Sequence, residues 1–181
     1  AYSHDVAICV AQACRDVVSL WESGRRPAKP GSSPSITVDR AAVVDLGAAP
    51  GGWSQIAAKR VGAVNGKGKV AAIDLLEMPE IPGVSFAQLD FLAEDAPEKL
   101  IAMMGGRADV VMSDMAANTT GHRKTDQLRI IGLVESAAAF ASDVLNPGGT
   151  FLAKVFQSGA DADLVAQLKR DFTTVKHVKP A

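Results

Sequence analysis

Residues 43–55 have the sequence VVDLGAAPGGWSQ, and this stretch decides the fold of the chain. Two β-branched residues lead into Asp45, a run of small residues around Pro50 follows, and a helical pattern begins near Gly52. This order is typical of a buried parallel strand, a tight turn and a helix whose N-terminus points back over the strand end. Small residues let a ligand come close to the backbone. An ordinary strand-to-helix turn needs fewer of them, so the stretch favours a ligand site.

From residue 36 onward, the sequence alternates between strand and helix patterns. Strands are predicted at 41–47, 69–74, 84–89, 108–114, 150–156 and 173–179, and helices at 52–62, 94–104, 126–145 and 161–171. The residues Asn-Pro-Gly-Gly at 146–149 are a helix stop signal. Alternation at this spacing predicts an α/β fold with a doubly wound parallel sheet and right-handed crossovers.

The first 40 residues do not show this alternation of strand and helix patterns. Residues 5–22 carry loosely spaced apolar residues that predict one amphipathic helix, although their β-branched members are mediocre helix formers. Residues 24–35 contain three prolines with glycine and serine, which predict a loop. We therefore divide the chain into an N-terminal helix and Pro/Gly/Ser-rich loop at 1–40 and an α/β domain at 41–181.

Composition narrows the class of protein. The chain has 181 residues, 48% of them hydrophobic, which is enough for one globular domain. Its net charge of −1 is no signature of a nucleic-acid binder. Cys9 and Cys14 have neither a redox nor a zinc spacing and make no disulfide framework, so we expect no metal site. No apolar run reaches the roughly 18–20 residues of a membrane span, and the start lacks signal-peptide features, which favours a cytoplasmic protein.

Acidic residues recur at the ends of four predicted strands. They are Asp45, Asp74, Asp90 and Asp114. Ligands of open α/β sheets bind at the carboxyl ends of the strands. A single aspartate there is commonly a helix cap or a solvated loop residue, whereas four on one edge indicate a binding site.

The turn itself excludes the common nucleotide motifs. The glycines at 47, 51 and 52 do not have the G-x-G-x-x-G spacing of a dinucleotide site, and no Gly-Lys-Ser/Thr follows as in a P-loop. Asp45 would also repel a pyrophosphate. S-adenosylmethionine fits better, with its cationic end near Asp45 and Gly47. Asp74 would then accept hydrogen bonds from the ribose hydroxyls, and Asp90 from the adenine amine.

Three motifs carry a resemblance to a known family. They are DLGAAPGGWSQ at 45–55, VMSDMA at 111–116 and KVFQ at 154–157. In order and spacing, over roughly residues 41–180, the sequence resembles the FtsJ/RrmJ (RlmE) family of S-adenosylmethionine-dependent ribosomal RNA large-subunit 2′-O-methyltransferases. The resemblance implies a Rossmann-like methyltransferase sheet, S-adenosylmethionine as cofactor and a uridine of 23S ribosomal RNA as substrate.

The resemblance also implies roles for particular residues. The cofactor-contacting positions would be Gly51, Trp53, Asp74, Asp90 and Asp114, and the catalytic residues Lys154 and Asp114. A lysine that acts as a base needs surroundings that favour its neutral form, whereas Asp114 favours the charged form. Lys154 could therefore be either a base or a cation that stabilises the developing alkoxide.

The sequence departs from the family pattern at both ends. The family's catalytic set is Lys-Asp-Lys-Glu, but residues 1–40 hold only Lys29, which does not match the first lysine, and no glutamate follows Pro180. We expect either a truncated chain or a catalytically incomplete protein that binds S-adenosylmethionine and RNA. The six predicted strands also lack the last, antiparallel strand of the family sheet. The family fold is expected to be a monomer, whereas an exposed edge at 173–179 would favour an edge-paired dimer of this chain.

Positive charges that follow the VMSDMA motif at 111–116 suit an RNA contact. Residues 121–129, GHRKTDQLR, are predicted to form a loop with three basic side chains beside the methyl-transfer point. Such side chains contact phosphates. A small-molecule methyltransferase remains the alternative in which this segment has no role.

Overall fold

The computed structural model describes residues 4–9, 40–116, 121–155 and 161–178. These residues form seven β-strands, four α-helices and one short 3-10 helix. In chain order they are β1 (His4–Cys9), β2 (Ala42–Leu46), α1 (Gly52–Val61), the 3-10 helix (Ala63–Asn65), β3 (Lys69–Asp74), β4 (Val84–Gln88), α2 (Ala96–Met104), β5 (Ala108–Ser113), α3 (Arg123–Val144), β6 (Leu145–Lys154), α4 (Asp161–Asp171) and β7 (Phe172–Val178).

The strands form one sheet in the order β4-β3-β2-β5-β6-β1-β7. Each pair of neighbours among the described strands is parallel. From β2 the chain runs outward to β3 and β4 and then crosses to β5 and β6 on the other side. The α/β fold with a parallel sheet is therefore confirmed, and its topological switch point lies between β2 and β5.

The N-terminal strand corrects two predictions. Residues 4–9 form β1 between β6 and β7, where a helix over 5–22 was expected; residues 10–22 lie outside the described part. Val6, Ile8 and Val10 alternate with smaller or polar residues, and this period of two fits a strand better than a helix. The sheet therefore has seven described strands rather than six. β7 pairs with β1 and forms one edge, and the missing antiparallel strand, the edge-paired dimer and the domain boundary at residue 40 stay predictions.

The predicted helix stop lies inside the bounds of β6. Ala108 pairs with Leu145 but Val110 pairs with Thr150, so residues 146–149 bulge out of the ladder. Asp109 supports this bulge, because its carboxylate accepts hydrogen bonds from the Asn146 amide at 2.8 Å and from the backbone N–H of Ala42 at 2.9 Å. The helix ends at Val144, directly before the predicted stop signal, but the strand already begins at Leu145 rather than at Thr150.

The central strands are buried on both faces, as in a doubly wound sheet. Val43 packs with α1 in a cluster that includes Trp53 and Ala57. Val44 and Leu46 point the other way and pack with α2, α3 and α4. No helix in the described part of the chain has both the length and the apolar character needed to span a membrane.

Candidate functional site

A cavity of about 650 Å³ opens at the carboxyl ends of β2, β3, β4 and β5. Its volume lies within the range of roughly 300–1,000 Å³ that small-molecule sites occupy. Among the predicted site residues, Gly47, Asp74, Asp90 and Asp114 line it. The cavity thus occupies the topological switch point, where ligands of open α/β sheets bind.

Gly47 begins the turn after β2, and the backbone just after β5 packs closely against it. Its φ of +75° lies in the left-handed region, and a Cβ at this position would lie 2.8 Å from the backbone of Met115. The N–H groups of Gly47 and Ala48 both donate to the carbonyl of Ile73, at 3.0 and 3.1 Å. A glycine is therefore required here for the packing of the turn as well as for access to the cavity.

Asp74, at the end of β3, hydrogen-bonds to the backbone of the turn that follows β2. One carboxylate oxygen accepts a hydrogen bond from the N–H of Ala49 at 2.9 Å, and the other accepts from the N–H of Leu76 at 2.8 Å. A carboxylate can accept about four hydrogen bonds, so both oxygens keep acceptor capacity toward the cavity. Asp74 is therefore rigidly placed and able to accept from ligand hydroxyl groups.

The outer part of the cavity combines one carboxylate with apolar side chains. Asp90 accepts a hydrogen bond from the N–H of Leu92 at 2.9 Å through one oxygen. Leu75, Leu76 and Leu92 line the cavity although they are 63%, 67% and 61% exposed. Large exposed apolar residues grouped around a cavity mark a surface for an apolar ligand part such as an aromatic ring.

Asp114 and Lys154 form an ion pair at the ends of neighbouring strands. Ser113 of β5 pairs in register with Ala153 of β6, so the two charged residues come next on both strands. The N–H of Asp114 donates to the carbonyl of Leu46 at 2.9 Å, which extends the strand pairing to the cavity. Both side chains are partly exposed, at 29% for Asp114 and 18% for Lys154. Asp114 lines the cavity, whereas Lys154 is not among the lining residues and is joined to the cavity through this ion pair.

Asp45 is placed differently from the other aspartates. It is fully buried and is not among the residues that line the cavity. The hydroxyl of Ser54 in α1 donates to one of its oxygens at 2.5 Å, and the other oxygen has no hydrogen-bond partner among the described residues. Burial raises the pKa of Asp45 to about 6, against the opposing hydrogen bond from Ser54 and with a further increase from the negative charge of Asp74.

Gly51 and Trp53 also lie apart from the cavity lining. A Cβ on Gly51 would lie 2.5 Å from the Ile81 side chain and 3.1 Å from the sulfur of Met78, so the loop after β3 covers this glycine. Trp53 is 8% exposed and packs in the core with Val43. The assignment of Asp45, Gly51 and Trp53 as cofactor contacts stays a prediction.

The helix α3 contributes a wall that was absent from the sequence-based prediction of the site. Its lining residues are Arg129, Gly132, Leu133 and Ser136. Their spacing of three, one and three residues is that of one helical face, which is the signal that could have identified them. Residues 123–129 belong to this helix, so the prediction of a loop over 121–129 is wrong for them.

The chain matches one protein family and curated relatives that share one name. Residues 28–181 match the family described as FtsJ-like methyltransferase. Ribosomal RNA large subunit methyltransferase E of Nitrobacter hamburgensis is 86% identical over 140 residues, which cover 77% of this chain and 61% of that protein. The protein of the same name from Bradyrhizobium diazoefficiens is 85% identical over 140 residues, with the same coverage of 77% and 61%. The chain therefore spans about 61% of the length of these curated relatives.

One solved structure supports the fold. A crystal structure from Plasmodium falciparum, described as a ribosomal RNA methyltransferase, superposes with a TM-score of 0.65 at 28% identity. The match covers 72% of this chain and 74% of that one. The fold of this chain is thus similar to that of a structure described as a ribosomal RNA methyltransferase.

Proposed function

This chain belongs to the FtsJ-like methyltransferase family, and we propose that it transfers the methyl group of S-adenosylmethionine to a ribose 2′-oxygen of RNA. We further propose a uridine of 23S ribosomal RNA as the acceptor, in the cytoplasm. The relatives named ribosomal RNA large subunit methyltransferase E support this substrate, since they match 77% of the chain at 85% identity or above. The sequence motifs that resemble the family support the 2′-oxygen as the acceptor atom.

The residues of the cavity fit this cofactor. Asp74 offers acceptors for the ribose hydroxyls, and Asp90 keeps acceptor capacity for an exocyclic amine. The leucines around the mouth offer apolar surface to a purine. When bound, S-adenosylmethionine supplies a methyl group activated by a sulfonium. The negative charge of Asp114 would attract the cationic end of such a ligand.

The ion pair between Asp114 and Lys154 is the observation that carries the proposal. A ribose hydroxyl is a weak acid, so transfer to it requires alignment of the oxygen and stabilisation of the charge that develops there. Asp114 favours the charged form of Lys154. We therefore propose that Lys154 acts as an ammonium ion that hydrogen-bonds and orients the 2′-oxygen, rather than as a base. The bond between the 2′-oxygen and the methyl carbon forms as the bond between sulfur and methyl breaks, and the 2′-proton leaves to solvent water.

Arg129 would guide the RNA to this point. It lines the cavity from α3 and is exposed. The described ion pairs do not include it. An arginine in this position can bind a phosphate with two parallel hydrogen bonds, which would fix the backbone of the RNA next to the acceptor ribose.

Methyl transfer to ribosomal RNA tests the proposal directly. The chain is incubated with methyl-labelled S-adenosylmethionine and large ribosomal subunits, and resistance to alkaline cleavage locates the ribose that is labelled. We expect label at one uridine and a loss of about 10²–10³-fold in rate for Lys154→Ala. Lys67→Ala is the matched control, because Lys67 is exposed and does not line the cavity.

Other outcomes would contradict parts of the proposal. Label on a base would exclude the 2′-oxygen, and an unchanged rate in Lys154→Ala would exclude the role of that lysine. Binding of the cofactor and RNA without any transfer would instead support the catalytically incomplete binding protein that the sequence leaves as an alternative.

A further inference from the structure

The wall of the cavity formed by α3 contains a glycine that no packing contact explains. Gly132 lies near the middle of this 22-residue helix, where glycine costs about 1 kcal/mol relative to alanine. Helical glycines are commonly required by a close neighbouring element or by a left-handed backbone. Neither reason holds here, because a Cβ on Gly132 would meet no described heavy atom within 4 Å and its φ is not positive.

The open side of Gly132 faces the cavity. Gly132 and Ser136 are one turn apart, and both line it. The hydroxyl of Ser136 donates to the carbonyl of Gly132 at 2.9 Å, so the serine side chain is held back against its own helix. At Gly132 and Ser136 the wall is therefore formed by backbone and one small side chain, and Leu133 lines the cavity beside them.

The segment 89–92 also lines the cavity, and an aromatic contact joins it to α3. Phe91 packs edge-on against Phe140 of α3, with ring centroids 5.7 Å apart and planes at 82°. Leu92 and Asp90 on the same segment line the cavity together with Gly132. The cavity thus combines an apolar side chain and a carboxylate from this segment with the bare backbone at Gly132 from α3.

We propose that Gly132 leaves the space for the purine ring of the nucleoside ligand and that this residue sets the size of ring system the cavity accepts. A ring in this position has apolar contact with Leu92, and Asp90 retains an oxygen that can accept from an exocyclic amine. The inference rests on the proposed function, because that function supplies an adenosine-containing cofactor. The lower helix stability that glycine causes at position 132 is thereby explained by the space that the ligand needs.

The test measures S-adenosylhomocysteine binding by calorimetry and thermal unfolding of the same variants. Gly132→Leu fills the space and is expected to weaken binding by about tenfold or more, since overfilling a packed site is costly. Gly132→Ala is expected to weaken binding by a smaller factor and to raise the unfolding temperature, because alanine favours the helix. Ala139→Leu is the matched control, because it adds similar bulk at an exposed position of α3 outside the cavity.

The outcomes separate this inference from the proposed function. Wild-type affinity in Gly132→Leu, or a lower unfolding temperature in Gly132→Ala, overturns the role of Gly132 and leaves the proposed function intact. Binding that weakens in both variants without methyl transfer to ribosomal RNA supports the inference and contradicts the proposed reaction. Failure of the wild-type chain to bind S-adenosylhomocysteine overturns both.

Discussion

Ser54 and Asp45 join the end of β2 to the first turn of α1 through a hydrogen bond of 2.5 Å. Both residues are 0% exposed. The single hydroxyl satisfies one carboxylate oxygen, and burial still raises the pKa of Asp45 to about 6. At neutral pH the protein therefore holds an ionised carboxylate in its interior at a cost in stability.

Replacement of Asp45 by asparagine should stabilise the protein at neutral pH. The pKa of Asp45 is raised from 3.8 to about 6 in the folded state, so the folded protein binds more protons than the unfolded chain between these values. Stability therefore falls as pH rises through this window, by roughly 3 kcal/mol for a shift of this size. Asp45→Asn keeps the acceptor for Ser54 and removes the charge. We expect its unfolding temperature to exceed that of wild type at pH 7.5 and the difference to shrink toward pH 4.

Urea or thermal unfolding between pH 4 and 8 checks this expectation. Asp95→Asn is the control, because Asp95 is exposed, its pKa is lowered by the hydrogen bond from Lys99, and its neutralisation should give no gain at pH 7.5. A difference between Asp45→Asn and wild type that stays constant across this pH range would show that the charge of Asp45 is not its source.

Alanine at Gly47 should destabilise the turn, whereas alanine at Gly52 should not. A Cβ on Gly47 would lie 2.8 Å from the Met115 backbone and the residue has a φ of +75°, so both sterics and backbone strain oppose it. We expect a loss of about 1–3 kcal/mol in the free energy of unfolding. Gly52 begins α1 with nothing within 4 Å of an added Cβ. Equal denaturant midpoints for the two variants would contradict this assignment.

The sequence predicts most of the sheet because its central strands are buried on both faces. Residues 43–46, 70–73 and 108–113 are near-continuous apolar runs, and such runs separated by helices specify a parallel sheet. β1 was missed because the apolar residues of 5–22 also fit a loose helical spacing, which outweighed the alternation of Val6 and Ile8. A short strand that completes its sheet through distant partners, here β6 and β7, carries little local signal.

The sequence predicts those residues of the cavity that lie at the carboxyl ends of the parallel strands. Asp74 and Asp114 both line the cavity, because parallel strands bring their carboxyl ends to one edge. Asp45 was expected there as well, but it lies on the face of β2 that carries Val43, and α1 covers that face. The contribution of Gly132 could not be predicted, since a glycine in a helical pattern only lowers the helix propensity and does not indicate what it faces.

Glutamine at Arg129 should weaken RNA binding in a salt-dependent manner. If Arg129 contacts one phosphate of single-stranded RNA, its loss should reduce the slope of log K against log salt by about 0.7. Fluorescence anisotropy with a short RNA from 50 to 200 mM salt measures this slope. Arg170→Gln is the control, because Arg170 lies at the end of α4 and does not line the cavity. The same reduction in both variants would mean that the RNA contact is not confined to the rim of the cavity.

Two substitutions of Lys154 distinguish a cation from a base. Lys154→Arg keeps a positive charge beside Asp114 but cannot accept a proton, whereas Lys154→Met keeps the length of the side chain and removes the charge. If the ammonium stabilises the developing alkoxide, Lys154→Met should lose about 10²–10³-fold in methyl-transfer rate and Lys154→Arg clearly less. If the lysine is the base, both variants should lose equally. Single-turnover transfer measures the rate, and S-adenosylhomocysteine affinity close to that of wild type in both variants ensures that the difference arises in the transfer step.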